Sequence, residues 1–436
     1  MESEYGIPSV PIHTHVFASI ARLVSRSKGM PGLRSVFVPQ PVMGKSPEEL
    51  RADLEGLDPV TGKLVMQEVV EVLTQPLDVT DNEKIIYTPL ISRFLEPDSE
   101  ENLTQLFLEN LWTDGLPIIF PTEARVAAML AGTRRDPLEV VGRMRPAPTR
   151  EHWAFTVEQV AVNAVMAGAR PEYFPVILAL ASSSVSARQS TTSSGASMVV
   201  VNGPIRHEIK MNWGMGAMGP YNHANATIGR AYGLLSQNLQ GGSRPGETFM
   251  GSSGNNYAYN SVTFAENEER SPWQPFHVQH GFNADESVVS VFDECITTSF
   301  ALGLREKHWR EHLQSMLLGM DPECPPVFLL DPIVARLFIE RGGFDTKEKL
   351  IDWVHDHAQI PAGVYWDYQG VQNHAYPDAL KGVEPFATFV KAKDDELLPV
   401  FQKKDIKIVV VGGETNGYWR IMGARYQKSI SIDEWR

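Results

Sequence analysis

Residues 325–343 read PPVFLLDPIVARLFIERGG. The first seven, Pro325 to Asp331, form an apolar run of the kind found in buried strands, and the rest form a helix that follows directly. Near the end of the chain, residues 405–419 read DIKIVVVGGETNGYW, a continuous apolar strand closed by a glycine turn. Strands that do not alternate apolar with polar, and that are interleaved with helices, belong to sheets covered on both faces. The fold class is therefore α/β.

The same logic appears at the start of the chain. Ile7 to Ile12 is a short β-prone run, and Phe17 to Ser27 places Phe17, Ile20, Leu23 and Val24 at helical spacing. Gly29, Pro31 and Gly32 break that helix before LRSVFVPQP, a second apolar run. A connection this short implies a parallel βαβ unit. With almost nothing before its first strand, the unit reads as half of a three-layer α/β domain.

Residues 46–100 read as connecting structure. SPEELRADLEG is a helix with Ser46 and Glu49 as a capping box and Gly56 as its stop. An amphipathic helix ending at Pro76 follows. The polar stretches 78–84 and 96–102 place a boundary near Pro97. This divides the chain into 1–97, a partial α/β domain with a helical connector, and 98–436, a large α/β domain with an α+β elaboration. Within the latter, TVEQVAVNAVMAG carries a Thr156–Gln159 capping box, and PEYFPVILALAS is a second core helix. ESVVSVFDE is a strand and TKEKLIDWVHDHA a helix. No repeat of 20–50 residues is present.

Composition excludes several functions. The 436 residues are 43% apolar and 21% charged, an ordinary globular balance. No apolar run reaches the length of a spanning helix, and Met1 to Val10 lacks the pattern of a signal peptide, so a cytoplasmic location is expected. A net charge of −14 argues against nucleic acid and anionic membrane as partners. Cys295 and Cys324 are too few for a disulfide framework or a four-cysteine zinc site, and read as buried free thiols.

The segment from Ser190 to Phe282 is where Asn, Ser, Gly, His and Glu crowd together between short apolar runs, a mixture that suits a small-molecule pocket. If SVTFAENEE is a strand, Val262, Phe264, Glu266 and Glu268 share a face, with the acids at its carboxyl end, where open α/β sheets place their sites. One of two neighbouring carboxylates is suited to proton transfer; the competing reading is a solvated charge run. Asn222 to Asn238 reads as a helix whose Asn225 and Gly229 share a face, behind the glycine-rich GMGAMGP. Arg230 is placed to clamp an anion, and Asn202 to orient a substrate. His277 is a candidate acid/base. His277 and His280 share a ligand only if a turn forms there, since Pro272 and Pro275 exclude a regular helix just upstream. His13 and His15, two apart in extended backbone, are candidate ligands for zinc or iron, with packing histidines as the alternative. His355 and His357, in the last turn of a helix, read as structural. The Ser/Thr tract from Ser182 to Ser197 reads as an ordered loop lining the pocket. No nucleotide fingerprint occurs, and Gly412, Gly413 and Gly417 are at most an anion cradle.

The residues GIPSVPIHTHVF and GMPGLRSVFVPQPV resemble the later half of the domain in bacterial proteins of the UGSC-like family, which bear selenocysteine-Gly-Ser-Cys or Cys-Gly-Ser-Cys. From LWTDGLPIIFPT through NHANATIGRA and FAENEERSPWQPFHV to VVVGGETNGYW, the chain is similar to the large domain associated with that family. The resemblance covers most of the sequence. It implies a two-part α/β protein and redox chemistry with a thiol or selenol. The Cys-Gly-Ser-Cys motif itself is absent from this chain.

Three functions are consistent with these residues. The first is a metal-dependent lyase or hydrolase acting on a small polar, anionic metabolite by elimination, hydration or hydrolysis. In it His13 and His15 hold the metal, Glu266, Glu268 and His277 move protons, and Asn202, Asn225 and Arg230 bind substrate. The second is a redox subunit completed by a thiol- or selenol-bearing partner, and the third a non-catalytic binding protein. A homo-oligomer, or a hetero-oligomer with a small subunit, is expected.

Overall fold

The computed structural model describes residues 7–27, 30, 32–42, 44–75, 93–144, 153–188, 192–241, 244–246, 248–296 and 298–436. Residues 78–84, read above as a polar boundary, and residues 189–191 of the Ser/Thr tract lie outside them.

Residues 7–75 form a small unit. Strands β1 (Ile12–Thr14) and β2 (Val36–Val38) pair in parallel, with the helix Ala18–Ser27 between them in the chain. This is the βαβ unit expected from its short connection. Val36, Val38 and Val65 make its core, joined by Val10, Val69 and Val72. Buried Asp58 ties the unit together: its carboxylate accepts from the backbone N–H groups of Phe37, Val60 and Thr61. The capping box predicted at Ser46 and Glu49 is present on the helix Pro47–Glu55.

The larger part contains a two-stranded antiparallel ribbon, β3 (Val140–Met144) with β4 (Trp153–Thr156), and two four-stranded sheets. The first sheet comprises β5 (Ala196–Asn202), β6 (Thr263–Ala265), β7 (Val288–Cys295) and the last strand of the chain. The second comprises β8 (Thr298–Leu302), β9 (Pro326–Leu330) and two later strands. Between these, β10 (Gln359–Pro361) and β11 (Leu397–Pro399) pair at the base of a small helical insertion. Then come β12 (Lys407–Val410), β13 (Tyr418–Gly423) and β14 (Arg425–Ser431). The spatial orders are β14-β7-β5-β6 and β12-β9-β13-β8.

Side-chain alternation along these strands decides how the layers stack. In β5, Val199 and Val201 pack on the helices Val157–Met166, Phe174–Ser182 and His223–Leu239, while Met198 and Val200 face the other way. In β9, Phe328 and Leu330 pack on the helices Trp309–Leu318, Pro332–Gly342 and Lys347–His357. Val327 and Leu329 join Met198, Val200 and Phe264 in one shared core. The result is four layers, helix–sheet–sheet–helix. The strands are covered on both faces, as their lack of alternation requires; the second cover is another sheet, because an apolar run does not specify what lies against it.

The two sheets share one plan. In each, a parallel pair (β5 with β6, β9 with β12) is followed by two antiparallel neighbours. Residues 196–302 and 326–431 trace this plan in the same order, except that the fourth strand of each span crosses over. β8 pairs with β13, and β14 pairs with β7. Ile296, in the link from β7 to β8, donates its N–H to the carbonyl of Gly423 at the end of β13, just before the chain enters β14. The repeat is more than twice as long as the periods found in solenoids and lies in topology rather than in matched residues.

Candidate functional site

Parallel pairing sends the carboxyl ends of β5 and β6, and of β9 and β12, in one direction each. Asn267, just past β6, joins the two sets: its backbone N–H donates to Val410 O at 2.8 Å, and its Nδ2 donates to Gly412 O at 3.0 Å. Gly412 N–H in turn donates to Trp213 O at 3.0 Å, on the loop that follows β5. Four strand ends thus meet, the place where α/β folds position sites.

Glu266 is the centre of this end and is fully buried. Its Oε2 accepts from Asn202 Nδ2 at 2.6 Å and from Phe276 N–H at 2.7 Å. Its Oε1 lies 3.7 Å from Nζ of Lys347, which is also buried. That distance is too long for a hydrogen bond, and both atoms lack a hydrogen-bond partner among the described residues. Lys347 is the first residue of the helix Lys347–His357 from the other half of the repeat. Burial pulls its ammonium below the ordinary lysine range, with the Glu266 charge opposing.

Asn202 bridges both acids, since its Nδ2 also donates to Glu268 Oε1 at 2.9 Å. Two carboxylate acceptors fix the amide orientation and leave Asn202 Oδ1 buried with no donor among the described residues. Strand β6 stops at Ala265, short of the expected Glu269. Even so, Glu266 and Glu268 both reach Asn202, Glu268 from the turn that follows the strand.

Arg206 clamps this turn. It donates to the carbonyls of Gly203 and Glu266 and pairs with Glu268 and Glu269, stacked 5.2 Å over Trp213. Burial alone would raise the Glu269 carboxyl, but hydrogen bonds from Arg206 bring it below its usual range.

His277 follows Phe276 in the single helical turn Phe276–Gln279 and is fully buried, with neither ring nitrogen hydrogen-bonded among the described residues. His280 points elsewhere, its Nδ1 against Phe276 O at 2.8 Å. Counting Asn267 Oδ1, the unmet atoms at this end among the described residues are Asn202 Oδ1, Glu266 Oε1, Asn267 Oδ1, Lys347 Nζ and both nitrogens of His277. At about 1–3 kcal/mol for each unmet buried group, their joint cost rivals the ~5–15 kcal/mol stability of a typical fold. Such atoms call for water or a polar ligand.

The other sequence candidates sit elsewhere. Asn225 holds the glycine-rich loop: its Oδ1 accepts from Asn212 N–H and its Nδ2 donates to Asn212 O and Ala217 O. Gly229, on the same face, is where a backbone comes close; a Cβ there would overlap Asn260 O. Arg230 forms a bidentate pair with Asp114, at 2.9 and 3.0 Å, and also donates to Leu116 O and Pro117 O. His13 lies on β1 with its ring 6.1 Å from that of Phe37, and His15 opens a short 3-10 turn. Among the described residues, no group of three or more His, Cys, Asp or Glu side chains is placed to hold a metal ion. His355 and His357 bond to backbone carbonyls, at Phe401 and Trp353.

The Asp114–Arg230 pair gives a pH test. Burial would raise the Asp114 carboxyl, but hydrogen bonds from Arg230 and its charge hold it below the usual range. A depressed carboxyl contributes stability above its unfolded pKa and loses it as pH falls through its folded pKa. Asp114→Asn is expected to cost about 3 kcal/mol at neutral pH, and the deficit to shrink below about pH 4. Urea unfolding at both ends of that range measures it.

Lys347, Arg206 and Asn267 were not singled out in the sequence. Lys347 reads there as an ordinary helix-start residue, and nothing local indicates that it reaches Glu266.

Residues 2–75 match the model of the UGSC family, and they contain the small βαβ unit just described. No curated protein and no solved structure matches the chain.

Proposed function

We propose that the chain is an enzyme acting on a small polar, anionic metabolite by elimination, hydration or hydrolysis, with Glu266 and Lys347 as its acid–base pair. The observation that supports this most is the buried Glu266–Lys347 pair, in which Oε1 and Nζ face each other without a hydrogen bond. A carboxylate held by Asn202 and Phe276 N–H on one oxygen keeps the other oriented to take a proton. A lysine whose ammonium burial has already weakened gives up or accepts a proton nearer neutrality, and while charged it meets the anionic group of the substrate. Asn202 and His277 supply further unmet polar groups to orient that substrate.

Two imidazoles do not complete a zinc or iron site, which takes at least three protein ligands. A metal at His13 and His15 would need further ligands beyond these two, and no proton-transfer step is assigned to it. Elemental analysis of the purified protein tests this.

Proton NMR of small carboxylic acids incubated with the protein tests the acid–base assignment. Glu266→Gln, folded by circular dichroism, is expected to lower turnover by roughly 10²–10⁴-fold. A folded variant that turns over at the wild-type rate removes Glu266 from catalysis and favours a non-catalytic binding role.

The family match over residues 2–75 supports a second reading, a redox subunit with a thiol- or selenol-bearing partner. Both cysteines of this chain lie outside that match and are buried. Burial pushes both thiols up, Cys324 to about 12, so the reactive group would belong to the partner. Co-purification of a small Cys-Gly-Ser-Cys subunit would favour it. No helix among the described residues is long and apolar enough to cross a membrane; a reducing cytoplasm is the compartment we assign.

A further inference from the structure

A cavity of about 600 Å³ opens at the amino end of β5, opposite Asn202 on the same strand. The Ser/Thr tract lines it through Ser186 and Ser197. Its volume is that of a small-molecule site.

Two charged side chains on its wall are incompletely matched. Arg188 is nine-tenths buried and spends two of its donors on neutral acceptors, Gln237 Oε1 and Ala258 O. Gln237 donates its own amide to Leu111 O and Thr113 O, which turns its oxygen toward Arg188. The nearest carboxylate, Asp114, is 3.8 Å away and already holds Arg230 with both oxygens, so one carboxylate serves two guanidiniums. Glu294 is the converse. Its Oε2 accepts from Ser193 Oγ at 2.7 Å, and among the described residues it has no ion-pair partner. Its backbone is left-handed, φ +53°, a strained state for a non-glycine residue.

Two glycines keep the room these groups occupy. A Cβ at Gly195 would lie 2.9 Å from Glu294 Cα and crowd its carboxylate; one at Gly233 would lie 3.0 Å from Arg188 Nη2. Phe249 and Tyr259 supply apolar wall.

We propose that this cavity binds a small zwitterion with separated ends, a short peptide-like molecule. Its carboxylate meets Arg188 in the paired geometry a guanidinium favours, its ammonium meets Glu294, and its body lies along Phe249 and Tyr259. The site is independent of Glu266.

Isothermal titration of the full chain with di-, tri- and tetra-alanine, each free, N-acetylated or C-amidated, tests it. At least one free peptide is expected to bind, and either cap to weaken it by roughly tenfold or more. Glu294→Gln should abolish the difference between free and N-acetylated peptide, and Arg188→Met that between free and C-amidated peptide. If Arg188→Met does not fold, Glu294→Gln and the capped peptides on the wild-type chain still decide. Binding retained in Glu266→Gln assigns it to this cavity. No binding at millimolar peptide, equal binding of capped and free forms, or loss of binding in Glu266→Gln overturns the proposal.

Discussion

Lys347→Met is expected to cost about 3–5 kcal/mol of stability, because it strands the Glu266 carboxylate in the interior. Glu266 is wholly inaccessible to solvent, and Lys347 is the only cation within ion-pair distance among the described residues. The two donors on Oε2 remain in the variant, but they do not replace a counter-charge. Pairing the change with Glu266→Gln removes both charges, and the double variant is expected to recover on the order of 2 kcal/mol relative to the sum of the single losses. Urea unfolding of the four proteins closes the cycle. Additive single losses would mean that the two groups do not interact, and the acid–base reading would lose its main support.

The same substitution has a pH signature. The folded pKa of Lys347 lies below that of an unfolded lysine, so between the two values the unfolded chain binds more protons. Wild-type stability from this group therefore rises with pH through the window that ends near 10, and falls as pH drops through the folded pKa. In Lys347→Met that rise disappears.

Gly203→Ala is the second large effect, with a loss of roughly 2–5 kcal/mol. Gly203 has φ +81°, and a left-handed alanine costs about 1–2 kcal/mol. A Cβ there would also overlap Glu286 O and lie 2.8 and 2.9 Å from Glu286 C and Ser287 Cα, atoms of the neighbouring backbone. Overpacking of that kind adds about 1–3 kcal/mol. Gly203 N–H donates to Glu268 Oε1 at 2.8 Å and its carbonyl accepts from Arg206 Nε at 3.0 Å, so any relief of the clash disturbs the site. Gly343→Ala is the control. It has φ +74° at a helix end with open space around it, and is expected to show only the conformational part, about 1–2 kcal/mol. Equal losses at the two positions would dismiss the packing argument.

Local signals in the chain were reliable where the physics is local. The capping boxes at Ser46 and Thr156 form where their side chains predict, because each satisfies backbone N–H groups within three residues; the helices read from Asn222 and Thr346 also form, and the structure shows those two side chains capping them. Glu266 and Glu268 both meet Asn202, but beyond the end of the strand whose alternation was expected to bring them together. Strand ends were less legible. β6 is three residues long: its carboxyl end stops where its partner β5 ends at Asn202, and left-handed backbone at Ser261 and Val262 precedes its first residue.

Arg230 shows the opposite limit. An arginine on a helix behind a glycine-rich loop has the chemistry to hold a substrate anion, but Asp114, 116 residues away in sequence, reaches it first. Whether a guanidinium is free depends on long-range contacts that no local pattern encodes.

By itself the sequence determined the α/β class, several of the helices and buried strands, and the concentration of polar groups between Asn202 and His277. It did so because propensity, capping and periodicity act over a few residues. Only the tertiary structure decided that two sheets face each other, that their fourth strands cross over, and that Lys347 is brought within 3.7 Å of Glu266. Those outcomes follow from which apolar faces bury one another across the whole chain, and from there which buried charge finds a counter-charge.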